Sequence, residues 1–169
     1  MAQELEFVMR ATLIGVGATV VMDLWAIVLK RVFGTPSLNY AMVGRWIGHL
    51  HRGRFTHAGI AQSAPVRGER IIGWSAHYAI GVIFAAGLLA IWGLDWAHHP
   101  TMAPALIVGV ATVAAPFLIL QPCMGAGIAA SKTPQPNTAR RRSLMAHTAF
   151  GVGLYVSALL FAALIPSGF

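Results

Sequence analysis

Six residues whose types could do chemistry stand inside or at the edge of long apolar runs: Asp23, Glu69, His77, Gln121, Cys123 and His147. An aspartate at the centre of a membrane helix costs about 2.5–3.5 kcal/mol on insertion scales, so such groups are rare and point to function. Asp23, Glu69, His77, Gln121 and His147 are the types that would hold an ion or pass a proton. His77 and His147 could also ligate a transition metal or a haem iron, with Asp23, Glu69 or Cys123 as a further metal ligand. Plainer roles stand beside these. A lone histidine or glutamine in a span commonly hydrogen-bonds a neighbouring helix, and a lone cysteine packs as a small hydrophobe. His98 and His99 make a weaker metal pair, because adjacent residues point apart on a helix. No Cys-x-x-Cys, His-Glu-x-x-His, glycine-rich phosphate loop or nucleophile elbow occurs. The reading therefore favours a non-enzymatic role.

The elements that must carry these groups follow from composition. Of 169 residues, 57% are hydrophobic and 10% charged, with a mean hydropathy of +0.68. Soluble domains carry about 25% charged residues, so this chain could not dress a soluble surface, and it is too apolar to be disordered. A single cysteine excludes a disulfide framework. A net charge of +7 and a pI near 10.8 would suggest nucleic acid in a soluble protein. Here the basic residues flank apolar runs, where they set orientation and meet anionic headgroups; no nucleic acid is expected.

Four runs, at 7–33, 71–94, 102–123 and 143–165, reach the ~20 apolar residues a spanning helix needs. Residues 1–169 thus read as one all-α, polytopic integral-membrane domain. The first run is not read as a signal peptide, because Glu4 and Glu6 precede it and Asp23 interrupts it. Arg10 and Lys30-Arg31 are expected to snorkel, and Trp74, Trp92 and Trp96 to anchor at the interfaces. Pro116 should kink the third run, and Gln121-Pro122 should end or kink it again.

Loop charge gives the orientation. Lys30, Arg31, Arg45, Arg52, Arg54, Arg67 and Arg70 flank or occupy the loop 34–70, and Lys132 with Arg140, Arg141 and Arg142 the loop 124–142. Only Arg10 lies elsewhere, so both loops read as cytoplasmic and both termini as periplasmic. Asp23, Glu69, His77, Gln121, Cys123 and His147 then fall in the cytoplasmic half. Within 34–70, Met42, Trp46 and Leu50 recur at a spacing of four after Asn39, with Arg45, His49 and Arg52 on other faces. That pattern predicts a short interfacial helix, or a surface for a cytoplasmic partner. Thr138 reads as the N-cap of the fourth helix.

Two segments match: Ala76-His77-Tyr78-Ala79-Ile80-Gly81-Val82 and Ala146-His147-Thr148-Ala149-Phe150-Gly151-Val152. Ala18-Thr19-Val20 matches Ala111-Thr112-Val113, each after a Gly-Val pair, Gly15-Val16 and Gly109-Val110. The expectation is a tandem repeat of a helical hairpin, parallel in the membrane, with His77 and His147 facing each other across a pseudo-axis. Small-xxx-small pairs (Gly15/Thr19, Gly81/Ala85, Ala105/Gly109, Ala149/Gly153, Gly153/Ser157) should let helix backbones approach closely.

A set of short motifs runs through the chain in order: Met22-Asp23-Leu24-Trp25, Gly44-Arg45-Trp46, Gly73-Trp74 with His77-Tyr78, and Gln121-Pro122 with Gly125 and Gly127. It continues through Thr133-Pro134 and His147 with Phe150-Gly151 and Gly153-Leu154-Tyr155. In these the chain resembles a family of bacterial inner-membrane proteins of unknown function. The resemblance implies a polytopic membrane protein and supplies no catalytic residue. The leading expectation is a small inner-membrane transport or channel-like protein, with Asp23, His77 and His147 as ion or proton ligands. Four short spans enclose little volume, so a homo-oligomer is expected. The alternatives are a non-catalytic accessory subunit, docking through 34–70, and a metal- or haem-binding redox protein.

Overall fold

The computed structural model describes residues 1–164, and among them every regular element is helical. There are five principal helices: α1 (Ala2–Phe33), α2 (Tyr40–Leu50), α3 (Glu69–His98), α4 (Met102–Cys123) and α5 (Pro136–Leu164). All but α2 are long and apolar enough to cross a membrane, and no more than 33% of any of their apolar windows is buried. Apolar side chains left outward suit lipid as the solvent.

Local chemistry explains the ends. Gly34 closes α1 in the left-handed conformation (φ 62°). Its N–H donates to Lys30 O at 3.1 Å while the Thr35 N–H donates to Leu29 O at 3.3 Å, which satisfies carbonyls the helix would otherwise leave open. Asn39 caps α2 by accepting from the Ala41 N–H at 3.1 Å. α3 breaks at Gly93 (φ 78°), beside the predicted end at 94. α4 is interrupted: it is α-helical over Met102–Ala111, wider over Pro116–Leu120 and α-helical again over Gln121–Cys123. Pro116 and Pro122 lack the N–H that a regular ladder needs, and the Gln121 N–H reaches back five residues to Pro116 O.

α5 starts earlier than expected. Pro136, with its φ already helical, opens it, so Thr138 lies inside the helix and is not its N-cap. Ile165, the predicted end of the fourth run, lies outside the described residues.

The chain divides into two compact units. Among the described residues the first holds 1–36, 78–112 and 146–164. Its core is Ala11, Ile14, Ala18, Met22, Ala85, Leu88, Leu89, Trp96, Ala97, Ala105, Phe150, Leu154 and Ala158. Small residues set its helix crossings. A methyl on Gly15 of α1 would strike the backbone of Gly81 and Val82 in α3, and one on Gly109 of α4 would strike Gly151 in α5. Gly153 of α5 lies as tightly against Ala18 of α1. Trp96 is a correction: it is 6% exposed and donates to Thr101 O at 3.2 Å, so it packs inside this unit, whereas Trp74 and Trp92 stay exposed.

The second unit holds 37–77 and 113–145. In it α2 lies flush on the start of α3. A side chain at Gly44 would collide with the Glu69 carbonyl, and one at Gly73 with the Tyr40 carbonyl. The loop after α2 is pinned to the end of α4 by His57 N–H to Cys123 O at 2.9 Å and Ile60 N–H to Met124 O at 3.0 Å. After α4 the chain turns through Gly125, Gly127, Ala129 and Ala130, all at positive φ. Arg140 ties this turn to α5 by donating to Ala129 O at 2.8 Å.

Candidate functional site

Within the first unit, Asp23 is half-buried on α1, and the Tyr78 hydroxyl of α3 donates to its Oδ2 at 3.1 Å. About ten residues of α1 follow Asp23, or about 15 Å of helix. The sequence marked Asp23 and missed Tyr78, although Tyr78 is next to His77 in the matched segment. His147, on α5, contacts Thr112 of α4 through Nδ1 at 2.8 Å. Thr112 donates its one hydroxyl proton to Gly109 O at 2.6 Å. Its oxygen is therefore left to accept, which assigns the proton to His147 Nδ1.

The other four residues belong to the second unit. His77 stacks on Tyr40 (ring centres 4.1 Å apart, 26°) and meets Trp74 edge-on at 5.8 Å; Tyr40 and Trp74 also touch each other. Glu69 forms a two-pronged ion pair with Arg45, Nε to Oε2 and Nη2 to Oε1, both at 2.8 Å. It also accepts from the Val66 N–H at 3.0 Å. Hydrogen bonding to Glu69 holds the Arg45 guanidinium above its ordinary pKa. Gln121 donates to Ser143 Oγ at 3.3 Å. Cys123 is a half-buried free thiol whose carbonyl anchors His57.

Three arrangements escaped the sequence reading. Arg10 does not snorkel: it is 1% exposed and donates to Glu6 Oε1 at 2.7 Å, the same oxygen that meets His98 Nε2 at 2.7 Å. His98 is thus tied to a carboxylate. Arg45 and His49, read from the sequence as lying on other faces of α2 than Met42, Trp46 and Leu50, are buried. Arg45 Nη1 donates to Ala61 O at 3.1 Å and Ser63 O at 3.0 Å, and Trp46 Nε1 to Phe55 O at 2.9 Å. Last, His49 and His57 adjoin each other. Arg10 and Glu6 are four residues apart on α1 and could have been paired by helical spacing; the other partners lie 8 to 92 residues apart, and no periodicity within one helix could have paired them. Among the described residues, no group of three or more His, Cys, Asp or Glu could hold a metal ion.

Comparison with known proteins gives one match. No curated protein and no solved structure matches the chain. The model of a family described as protein of unknown function (DUF2938) matches residues 12–161. With most of its length covered, and with four helices of spanning length and composition, the chain belongs to the DUF2938 family.

Proposed function

We propose that this is a small inner-membrane transport or channel-like protein that passes a proton or small cation by way of Asp23. The observation that carries the reading is the Asp23–Tyr78 hydrogen bond, which joins two helices of spanning length. A carboxylate kept in an apolar helix at this cost suits a proton or ion carrier. The Thr112–His147 pair supplies a second polar group of the same kind. In this reading both loops are cytoplasmic, both termini are periplasmic, and α2 lies at the membrane surface against anionic headgroups.

The reading also takes the chain as a tandem hairpin repeat, α1–α3 and α4–α5. Equivalent contacts support it. Gly15 meets Gly81 as Gly109 meets Gly151. Thr19 donates back four residues to Gly15 O and Thr112 back three residues to Gly109 O, a match offset by one residue. A pair of equivalent hairpins gives little interior volume, so a homo-oligomer belongs to the proposal.

The test is purified protein in lipid vesicles under an imposed pH or potassium gradient. The gradient should collapse faster than in empty vesicles, and a His77→Ala/His147→Ala double variant should slow it. A wild-type rate equal to that of empty vesicles would overturn the reading. The accessory-subunit reading takes support from the folded second unit, where Met42, Trp46 and Ile47 of α2 stay half-exposed. It predicts that the double histidine variant keeps full function in cells while Trp46→Ala loses it.

A further inference from the structure

His49 and His57 are 2% and 8% exposed. His49 Nε2 lies 2.9 Å from the Ala64 carbonyl. A carbonyl can only accept, so Nε2 carries the proton and Nδ1 of the neutral ring presents a lone pair. That lone pair faces His57 Nε2 at 3.4 Å, with the rings inclined at 72°. Something positive must lie between the two nitrogens, either a proton on His57 or a metal ion.

A hydrogen bond between two ring nitrogens is near its long limit at the observed 3.4 Å. Two nitrogens held at about 2.0–2.1 Å by one tetrahedral zinc stand about 3.3–3.4 Å apart, so the spacing also admits a metal ion. A ligating histidine also characteristically donates its other N–H to a carbonyl, which fixes the tautomer and aims the ring; His49 does this with Ala64. The backbone at His57 is held by two bonds, from its own N–H to Cys123 O and from Ile60 N–H to Met124 O.

We infer that His49 and His57 form a two-imidazole chelate for a divalent transition-metal ion of the zinc type. An open cleft of about 560 Å³, lined in part by Arg54, Thr56, His57, Gln62 and Ser63, adjoins it. There water or an exogenous ligand completes the coordination, since no third His, Cys, Asp or Glu among the described residues does so. Imidazole donors with no carboxylate select zinc, copper or nickel over magnesium or calcium. The nearby Arg45 does not oppose the ion, because Glu69 neutralises it.

The test uses the full chain in detergent, stripped of metal and titrated with Co²⁺ as a visible probe. One Co²⁺ per chain should bind with the absorption of a tetrahedral site, and Zn²⁺ should displace it. His49→Ala and His57→Ala should each weaken binding at least about tenfold, because each removes one of two protein ligands. His57→Gln serves where His49→Ala disturbs folding, since the backbone bonds of residue 57 persist. His77→Ala/His147→Ala should bind normally. Wild-type protein that takes up no Co²⁺, or uptake unchanged in His57→Gln, would overturn the assignment. Vesicle flux is read separately, so either proposal can fail without the other.

Discussion

One guanidinium holds the segment between α2 and α3 in place. Arg45 is 8% exposed and makes four hydrogen bonds, two to Glu69 and one each to the Ala61 and Ser63 carbonyls. Removing it leaves Glu69 without its counter-charge, keeping only the Val66 N–H, and two carbonyls without their Arg45 donor. Arg45→Ala should therefore lower stability by about 3 kcal/mol, seen as a lower Tm and faster proteolysis within 51–68. Arg45→Lys should not rescue it, because an ammonium cannot match the fork. Proteolysis at the wild-type rate would contradict this role. Arg45 variants consequently cannot report partner docking, and Trp46 is the better probe. At this scale the sequence was a partial guide. It picked out Asp23 because a carboxylate in an apolar run is conspicuous. It could not pair Arg45 with Glu69, 24 residues away, because that pairing depends on how two helices dock.

The docking of α2 on α3 is a matter of missing side chains. Gly44 and Gly73 bring the two backbones together, and each faces a carbonyl of the other helix. Gly73→Ala should cost about 1–3 kcal/mol through the shift it forces. Gly87→Ala makes the control: nothing lies within 4 Å of the added methyl, so stability should rise by about 0.5–1 kcal/mol. Thermal unfolding in detergent measures both, and equal Tm changes would contradict the packing. The helices themselves were legible, because an apolar run of spanning length and the four-residue spacing of Met42, Trp46 and Leu50 are local signals. Their limits were less so. α5 extends back to Pro136 beyond its apolar run, since helix and hydrocarbon need not be coextensive. The interruption of α4 was foreshadowed by Pro116 and Pro122, but its wide turn was not.

For the whole molecule, the distribution of basic residues makes the clearest demand. Eleven of the 12 Lys and Arg side chains lie in or beside 34–70 and 124–142, and the proposed orientation puts those loops in the cytoplasm. In a Cys123→Ser background, a cysteine at His99 should react with an impermeant thiol reagent in intact cells. Cysteines at Arg54 or Thr138 should react only after permeabilisation; the reverse pattern would invert the topology. The central claim is that Asp23 carries the transported charge. Proton or potassium flux into vesicles, at matched protein content, tests it most directly. Asp23→Asn should lower the rate at least about tenfold by removing the one ionisable group of α1 well inside its apolar run, and Tyr78→Phe should lower it less. Asp23→Asn protein that carries flux at the wild-type rate would contradict the account.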